Sequence, residues 1–435
     1  GGTAQFTMAD GSISPVTDND IDLGTASLKY KSFFAGLVDA ENFKVNGGQG
    51  SDGQVLTSTG SGVAFEDAGG GPTFKEGGTN FTNSLMVGDD ATGTLDNAQK
   101  NTALGIDVFA ALTSGDNNVA VGFEALKANT SASGNTSLGA SSMVANTTGA
   151  NNVAVGTDTM GSNTEGATNT AVGLSALYAN TTGSDNIAIG HDSLRFNTTA
   201  DNNTAVGKKA MYANTTGTRN TALGEQALTG VTTTSDNTAI GYRAMTVAGA
   251  EACTAVGTQA LNAVSGNNNS AVGYQAGVAM GTGHENTLFG TSAGAALTTG
   301  YQNVAVGHQA ALNLIGGSGG GKNNVYIGAF AGKTQASQED NTAIGINAMT
   351  AGNSTSNSQN TMVGSHTGSA AHAGYGNCYF GYYAGAANTS GIHNSHFGRQ
   401  AGSVTTSGGN NLMLGYQAGT SSSPGHVVTG SNHIV

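Results

Sequence analysis

Residues 203–219 read Asn203-Thr204-Ala205-Val206-Gly207-Lys208-Lys209-Ala210-Met211-Tyr212-Ala213-Asn214-Thr215-Thr216-Gly217-Thr218-Arg219, and Asn220-Thr221-Ala222-Leu223-Gly224 then starts the pattern again. The Gly that closes each such run recurs from Gly88 to Gly415, giving twenty landmarks and nineteen spacings. Fifteen spacings are 17 residues; the others are 16, 16, 21 and 19. A register held over more than 300 residues marks a repeat architecture, the first property to settle in any chain. The chain ends inside another copy, Asn432-His433-Ile434-Val435.

Aligned on the Gly, the preceding residue is always apolar (Val121, Ile189, Leu223, Phe289). Two before is mostly Ala, three before is usually Thr or Val, and four before is Asn in 18 of 20 copies, with Ser84 and Cys253 as exceptions. Strand side chains alternate with period two, so Thr/Val and the apolar residue share one face while Asn and Ala share the other. Three residues after the Gly stands Ala in 15 of 20 copies. The next residue is Leu or Met in early copies (Leu126, Met143, Leu177, Met211) and often Gly in later ones (Gly277, Gly294, Gly332, Gly385). Where it shrinks, nearby strand positions grow: Phe289, Tyr326, Tyr379, Phe380, Phe397 and Met413, which reads as volume compensation in a close-packed interior. Tails such as Asn146-Thr147-Thr148-Gly149 read as polar turns.

A 17-residue unit is too short for two helices and a turn. It predicts an all-β chain: a β-solenoid or β-roll of about 17 residues per coil and about 20 coils, stacked at roughly 4.8 Å. Like would stack on like, and an Asn column can hydrogen-bond along itself. The Thr/Val and apolar face is expected to point inward, about two apolar residues per coil. So thin a core suggests that the Ala face is a second packing surface, buried in a parallel homotrimer.

Composition agrees. Of 435 residues, 70 are Gly, 3 Pro and none Trp, and charged residues are 9% against roughly 25% in ordinary globular chains, which rules out a conventional large core. The net charge of −13 argues against a nucleic-acid partner. No apolar run approaches the roughly 20 residues that span a bilayer, so no membrane insertion is expected, and no secretory signal opens the chain. The opening Gly1-Gly2-Thr3 suggests a processed chain or an excerpt. Cys253 and Cys378 form no metal spacing. Residues 1–100 carry net −8 and residues 101–435 net −5. Together with the joint Gly69-Gly70-Gly71-Pro72, this predicts acidic β-rich modules over 1–72 and a repeat shaft over 73–435.

Asn203-Thr204-Ala205-Val206-Gly207 and Gly273-Tyr274-Gln275-Ala276-Gly277 resemble repeats of bacteriophage tail-fibre shafts, often found upstream of an intramolecular chaperone domain. Asp18-Asn19-Asp20-Ile21-Asp22-Leu23-Gly24 with Ser27-Leu28-Lys29-Tyr30-Lys31-Ser32 is similar to a module of marine phage fibres, and Gly50-Ser51-Asp52-Gly53-Gln54-Val55-Leu56-Thr57 to a segment that follows it. The strand is also similar to the YadA-like head of trimeric autotransporter adhesins, whose unit is shorter. The resemblance covers nearly the whole chain. It implies a structural virion protein: a homotrimeric, extracellular tail-fibre shaft, joined to tail or baseplate proteins on its N-terminal side and supporting attachment to a host-surface receptor such as a polysaccharide. The alternatives are a bacterial surface adhesin head and, third, an ice-binding solenoid. The last needs an outward Thr-x-Thr array, which an inward Thr column weakens.

No catalytic motif appears, and no cofactor, catalytic residue or metal site is expected. Asp18, Asp20 and Asp22 read as a solvated strand face. His396, close to His393, lies on the Ala/Asn face; were that face to meet a trimer axis, three copies would converge and could hold a metal, although a packed histidine is the blander reading. Tyr274, Tyr301, Tyr382 and Tyr416 could stack on a sugar but also suit coil edges covering the rod. A glycosidase needs two carboxylates about 5–10 Å apart. Glu339 and Asp340 are adjacent and Glu285 is alone, so an enzyme is not expected.

Overall fold

The computed structural model describes residues 96–435 except 248, 316–320, 336, 352–357, 371–373 and 421–429, together with 81–88 and short strands before them. The chain forms two units, Gly1–Gly71 and Pro72–Val435. The first contains three antiparallel pairs: Phe6–Ala9 with Ser12–Pro15, Lys44–Val45 with Gly48–Gln49, and Gln54–Ser58 with Val63–Asp67.

The second unit is a parallel β-solenoid of about 18 turns at about 17 residues each. Its strands run in register from Leu85–Gly88 to Leu412–Leu414, each pairing with the next copy of itself, as Thr204–Val206 pairs with Thr221–Leu223. Before the first rung, Thr73–Glu76 pairs antiparallel with Leu85–Gly88. After the last, Leu412 bridges Ile434, so the C-terminal residues continue the ladder. No helix occurs among the described residues.

Backbone amides are satisfied between turns, in both directions. Val119 N–H donates to Asn135 in the next turn, whereas Gly122 N–H donates to Leu104 in the previous one. The corners need left-handed backbone. The second residue after each Gly, the fourth after it and the fifth before it recur at φ near +55°, as at Lys209 (56°), Met211 (48°) and Arg219 (56°). The landmark glycine is required by close approach: Gly207 has φ +133°, and a Cβ there would lie 2.6 Å from the carbonyl oxygen of Gly224.

The strand faces alternate as the sequence predicts, but in the opposite sense. The middle residue of each triplet (Ala120, Ala154, Ala205, Ala239) is fully buried, while its Thr, Val, Leu or Ile neighbours are half-buried or exposed. The small Ala face therefore points inward and the bulky face outward, which corrects the expected core. The reason lies across the turn. Leu or Met four after the Gly (Leu126, Met143, Leu177, Met211) projects into the same interior, in most turns beside the buried Ala that precedes it (Ala125, Ala176, Ala210), leaving room for only a methyl on the strand. The Ala face is filled by its own chain and is no second packing surface.

This geometry also sorts the compensating residues. Tyr326, Tyr379 and Met413 are inward, and a Cβ on Gly332, Gly385 or Gly419 would collide with them; Leu288, Met362 and His396 relate to Gly294, Gly368 and Gly402 in the same way. Phe289, Phe380 and Phe397 sit on the outward position and compensate nothing. The interior glycines occupy left-handed positions, so they relieve backbone strain as well as volume.

The Asn column is a continuous internal ladder. In each turn the Asn side-chain oxygen accepts the next Asn's backbone N–H, and its amide donates to a loop carbonyl: Asn118 Nδ2 to Ala132 at 2.9 Å, Asn203 Nδ2 to Gly217 at 2.9 Å. Both exceptions keep the acceptor. Asn101 N–H donates to Ser84 Oγ at 2.8 Å and Asn269 N–H to Cys253 Sγ at 3.4 Å. A second ladder, hidden in the polar tails, links the buried Asn129, Asn146, Asn163, Asn180, Asn197 and Asn214 through side-chain amides at 2.7–3.0 Å. In following turns the position becomes Val231, Val264, Met280, Leu297 and Leu314.

Candidate functional site

Because the interior is full of the chain's own side chains, function must be carried on the outer columns. Three kinds of column are present.

The first is the outward sheet face. Thr204, Thr221, Thr238 and Thr254 stand in register beside Val206, Leu223, Ile240 and Val256. Exposed members include Leu138, Ile187, Ile189, Leu223 and Phe289. Parallel pairing without insertions makes this face regular over nearly the whole ladder.

The second kind pairs charge between turns. Arg219 meets Asp236 through two hydrogen bonds of 2.7 and 2.8 Å, which raises the guanidinium and lowers the carboxyl from their ordinary pKa values. Lys127 reaches Asp107 and Glu124, and its hydrogen bonds to Glu124 and then Asp107 raise its ammonium. His284, Tyr301, Lys322 and Glu339 form another column: rings stacked at 4.9 Å, a cation 5.9 Å from the Tyr301 centroid and an ion pair of 3.1 Å.

The third is aromatic and belongs to the last turns. Tyr382, Arg399 and Tyr416 occupy the same corner position in three successive turns. The Arg399 guanidinium lies 5.8 Å from one ring centroid and 5.5 Å from the other. Beside them His366 stacks on Tyr383 at 4.7 Å, and Gln400 and Gln417 join amides at 3.0 Å. Tyr382 and Tyr416 are 45% and 63% exposed, so the column is open to solvent.

The other expected site residues are scattered. Tyr274, at the same corner many turns earlier, is exposed, whereas Tyr301 belongs to the charged column. Asp18, Asp20 and Asp22 lie outside the described residues. His396 points into the interior of the solenoid's own turns. It is fully buried, stacked on Tyr379 at 4.6 Å, with neither ring nitrogen hydrogen-bonded, and burial pushes its pKa down to about 4. Convergence of three copies on a shared metal is therefore excluded by its place in the core. His393 packs edge-on against Tyr375 instead. Among the described residues no group of three His, Cys, Asp or Glu could hold a metal ion, and no helix is long and apolar enough to cross a membrane.

Each later carboxylate is engaged by a neighbouring turn. Glu339 meets Lys322, Asp340 accepts from Asn323 at 3.0 Å, and Glu285 accepts from Gln302 at 2.9 Å. Glu285 and His284 edge an open polar groove of about 440 Å³ where the turns shorten to 16 residues. Cys253 is buried and Cys378 half-buried; burial raises both thiols. One sequence signal for the aromatic column went unread: no Asp or Glu occurs after Asp340, and Arg399 is the sole Lys or Arg in residues 341–435.

No protein-family model matches this chain, and no curated protein matches it.

Proposed function

We propose that the chain is the shaft of an extended, homotrimeric surface fibre that spaces and supports an attachment tip without catalysis. The bacteriophage tail fibre is the first candidate owner and a bacterial surface adhesin the alternative. In the phage reading the N-terminal modules face tail or baseplate proteins, and the fibre is virion-borne and extracellular. One observation carries the assembly: the outward sheet face is regular and rich in Thr, Val, Leu and Ile. About 18 turns at about 4.8 Å extend roughly 85 Å, and three residues add about 10 Å of width, so the strip covers roughly 850 Å². Stable interfaces bury about 800 Å² per partner, so the strip is large enough to form one. The partner surface is thus the Thr/Val face, the reverse of what the sequence suggested.

Light scattering on the intact chain tests this. Three chains in one elongated particle support it, and Ile189→Lys, which charges the strip without touching the interior, should reduce the mass. A single chain in solution refutes the trimer.

A second reading follows from the same inversion. An outward Thr column beside a branched apolar column is a flat, repeating surface suited to ordering water, so the reason for setting aside an ice-binding solenoid no longer holds. A thermal-hysteresis measurement decides it: activity abolished by Thr221→Lys would favour it, and no hysteresis would end it.

A further inference from the structure

We propose that the Tyr382–Arg399–Tyr416 column binds a carboxylated polysaccharide. The inference rests on the attachment reading of the shaft and deepens it by naming a ligand class and a place.

Three observations converge. The first is preorganisation. A guanidinium with a tyrosine ring in the turn on either side is confined between them, so its donor fork loses less freedom on meeting a planar oxyanion. The tyrosines lie two turns apart, about 10 Å, which matches the reach of a short saccharide repeat and puts a phenol on either side of the cation. The second is the unspent charge. Arg399 forms no ion pair among the described residues. Arg195 provides the contrast: it also lies over two rings, Tyr178 and Phe196, but is neutralised by Asp192. The third is the local field. The chain carries net −13, yet residues 341–435 contain no Asp or Glu, so this end presents a surface that does not repel a polyanion. Gln400 and Gln417, beside the column, supply amides suited to sugar hydroxyls. Carboxylate selects for Arg because two parallel N–H donors match its two oxygens.

The test is retention of the full chain on immobilised polygalacturonate against immobilised dextran, a neutral polysaccharide. Delayed elution on polygalacturonate alone is expected. Arg399→Gln should weaken retention by about tenfold or more, and Arg399→Lys should restore only part of it, because the ammonium keeps charge but not the fork. Tyr416→Ala should weaken it several-fold, and Arg195→Gln should leave it unchanged. All three column residues are exposed, so the variants should melt as the parent does. Equal elution from both matrices, or Arg399→Gln binding like the parent, overturns the proposal, as does full rescue by Arg399→Lys. Light scattering on the same samples reads assembly separately: a monomer that still binds polygalacturonate refutes the trimeric shaft and leaves this site standing.

Discussion

Replacing Asn203 by Leu tests the ladder where its partners are fully specified. Asn203 Oδ1 accepts the Asn220 backbone N–H at 3.0 Å, and Asn203 Nδ2 donates to the Gly217 carbonyl at 2.9 Å. Leu keeps the branched outline of Asn and is larger, so no cavity forms, but both backbone groups lose their partners inside the chain. A buried, unpaired donor or acceptor costs about 1–3 kcal/mol, so the expected loss is about 2–6 kcal/mol. Solenoid stability is a sum over neighbouring turns, so the damage should be local. Urea unfolding should become biphasic, with the turns around Asn203 opening first. Hydrogen exchange at the Asn220 amide should accelerate by a factor of 30 or more, the rate equivalent of about 2 kcal/mol. Thr204→Val, one residue away on the outward face, should stay within about 0.5 kcal/mol. If Asn203→Leu melts like Thr204→Val with unchanged Asn220 exchange, the ladder does not hold the turns together.

Gly207→Val should prevent normal stacking at that turn, because its φ of +133° and the 2.6 Å approach to Gly224 both exclude a branched side chain; an unchanged melting curve would refute the corner geometry. His396 is expected to make the C-terminal turns acid-labile. Its folded pKa is depressed to about 4 from 6.5, so the unfolded chain takes up the proton first; stability is full above pH 6.5 and falls by about 3 kcal/mol as the pH drops to 4. Exchange protection of residues 378–414 at pH 7 and 4.5 reads this, and His396→Phe should abolish the difference between them. Cys378 should react with a thiol reagent at pH 8 well before Cys253, whose thiol is raised by burial and enclosed by the stack; equal rates would show that the Cys253 turn opens readily.

The period, the strand positions and the Asn ladder were legible in the sequence because stacking forces each of the twenty copies to repeat the same local requirement. Ser84 and Cys253 looked like breaks in that ladder, yet both supply an acceptor, so the constraint falls on hydrogen bonding and not on the amide itself. The pairing of small with large residues was legible too, for Tyr326 with Gly332 and Tyr379 with Gly385. The aromatic column was half legible: Tyr382 and Tyr416 stood out, but Arg399 joins them only because one turn of solenoid brings residues 17 apart into line.

What the sequence by itself determined is the alternation: two faces, Thr with Val on one and Asn with Ala on the other. Which face points inward was decided only by the tertiary structure. Period-two patterning has no sign, and bulk is a guide to the interior only when a strand fills the core alone. Here Leu126, Met143 and their equivalents enter from the opposite side of the turn, so the strand's share of the interior is the volume of a methyl group. The Asn129–Asn214 ladder was concealed for the same kind of reason: an Asn-Thr-Thr-Gly tail looks like a solvated loop until the next turn, 17 residues on, lies over it and shuts out water.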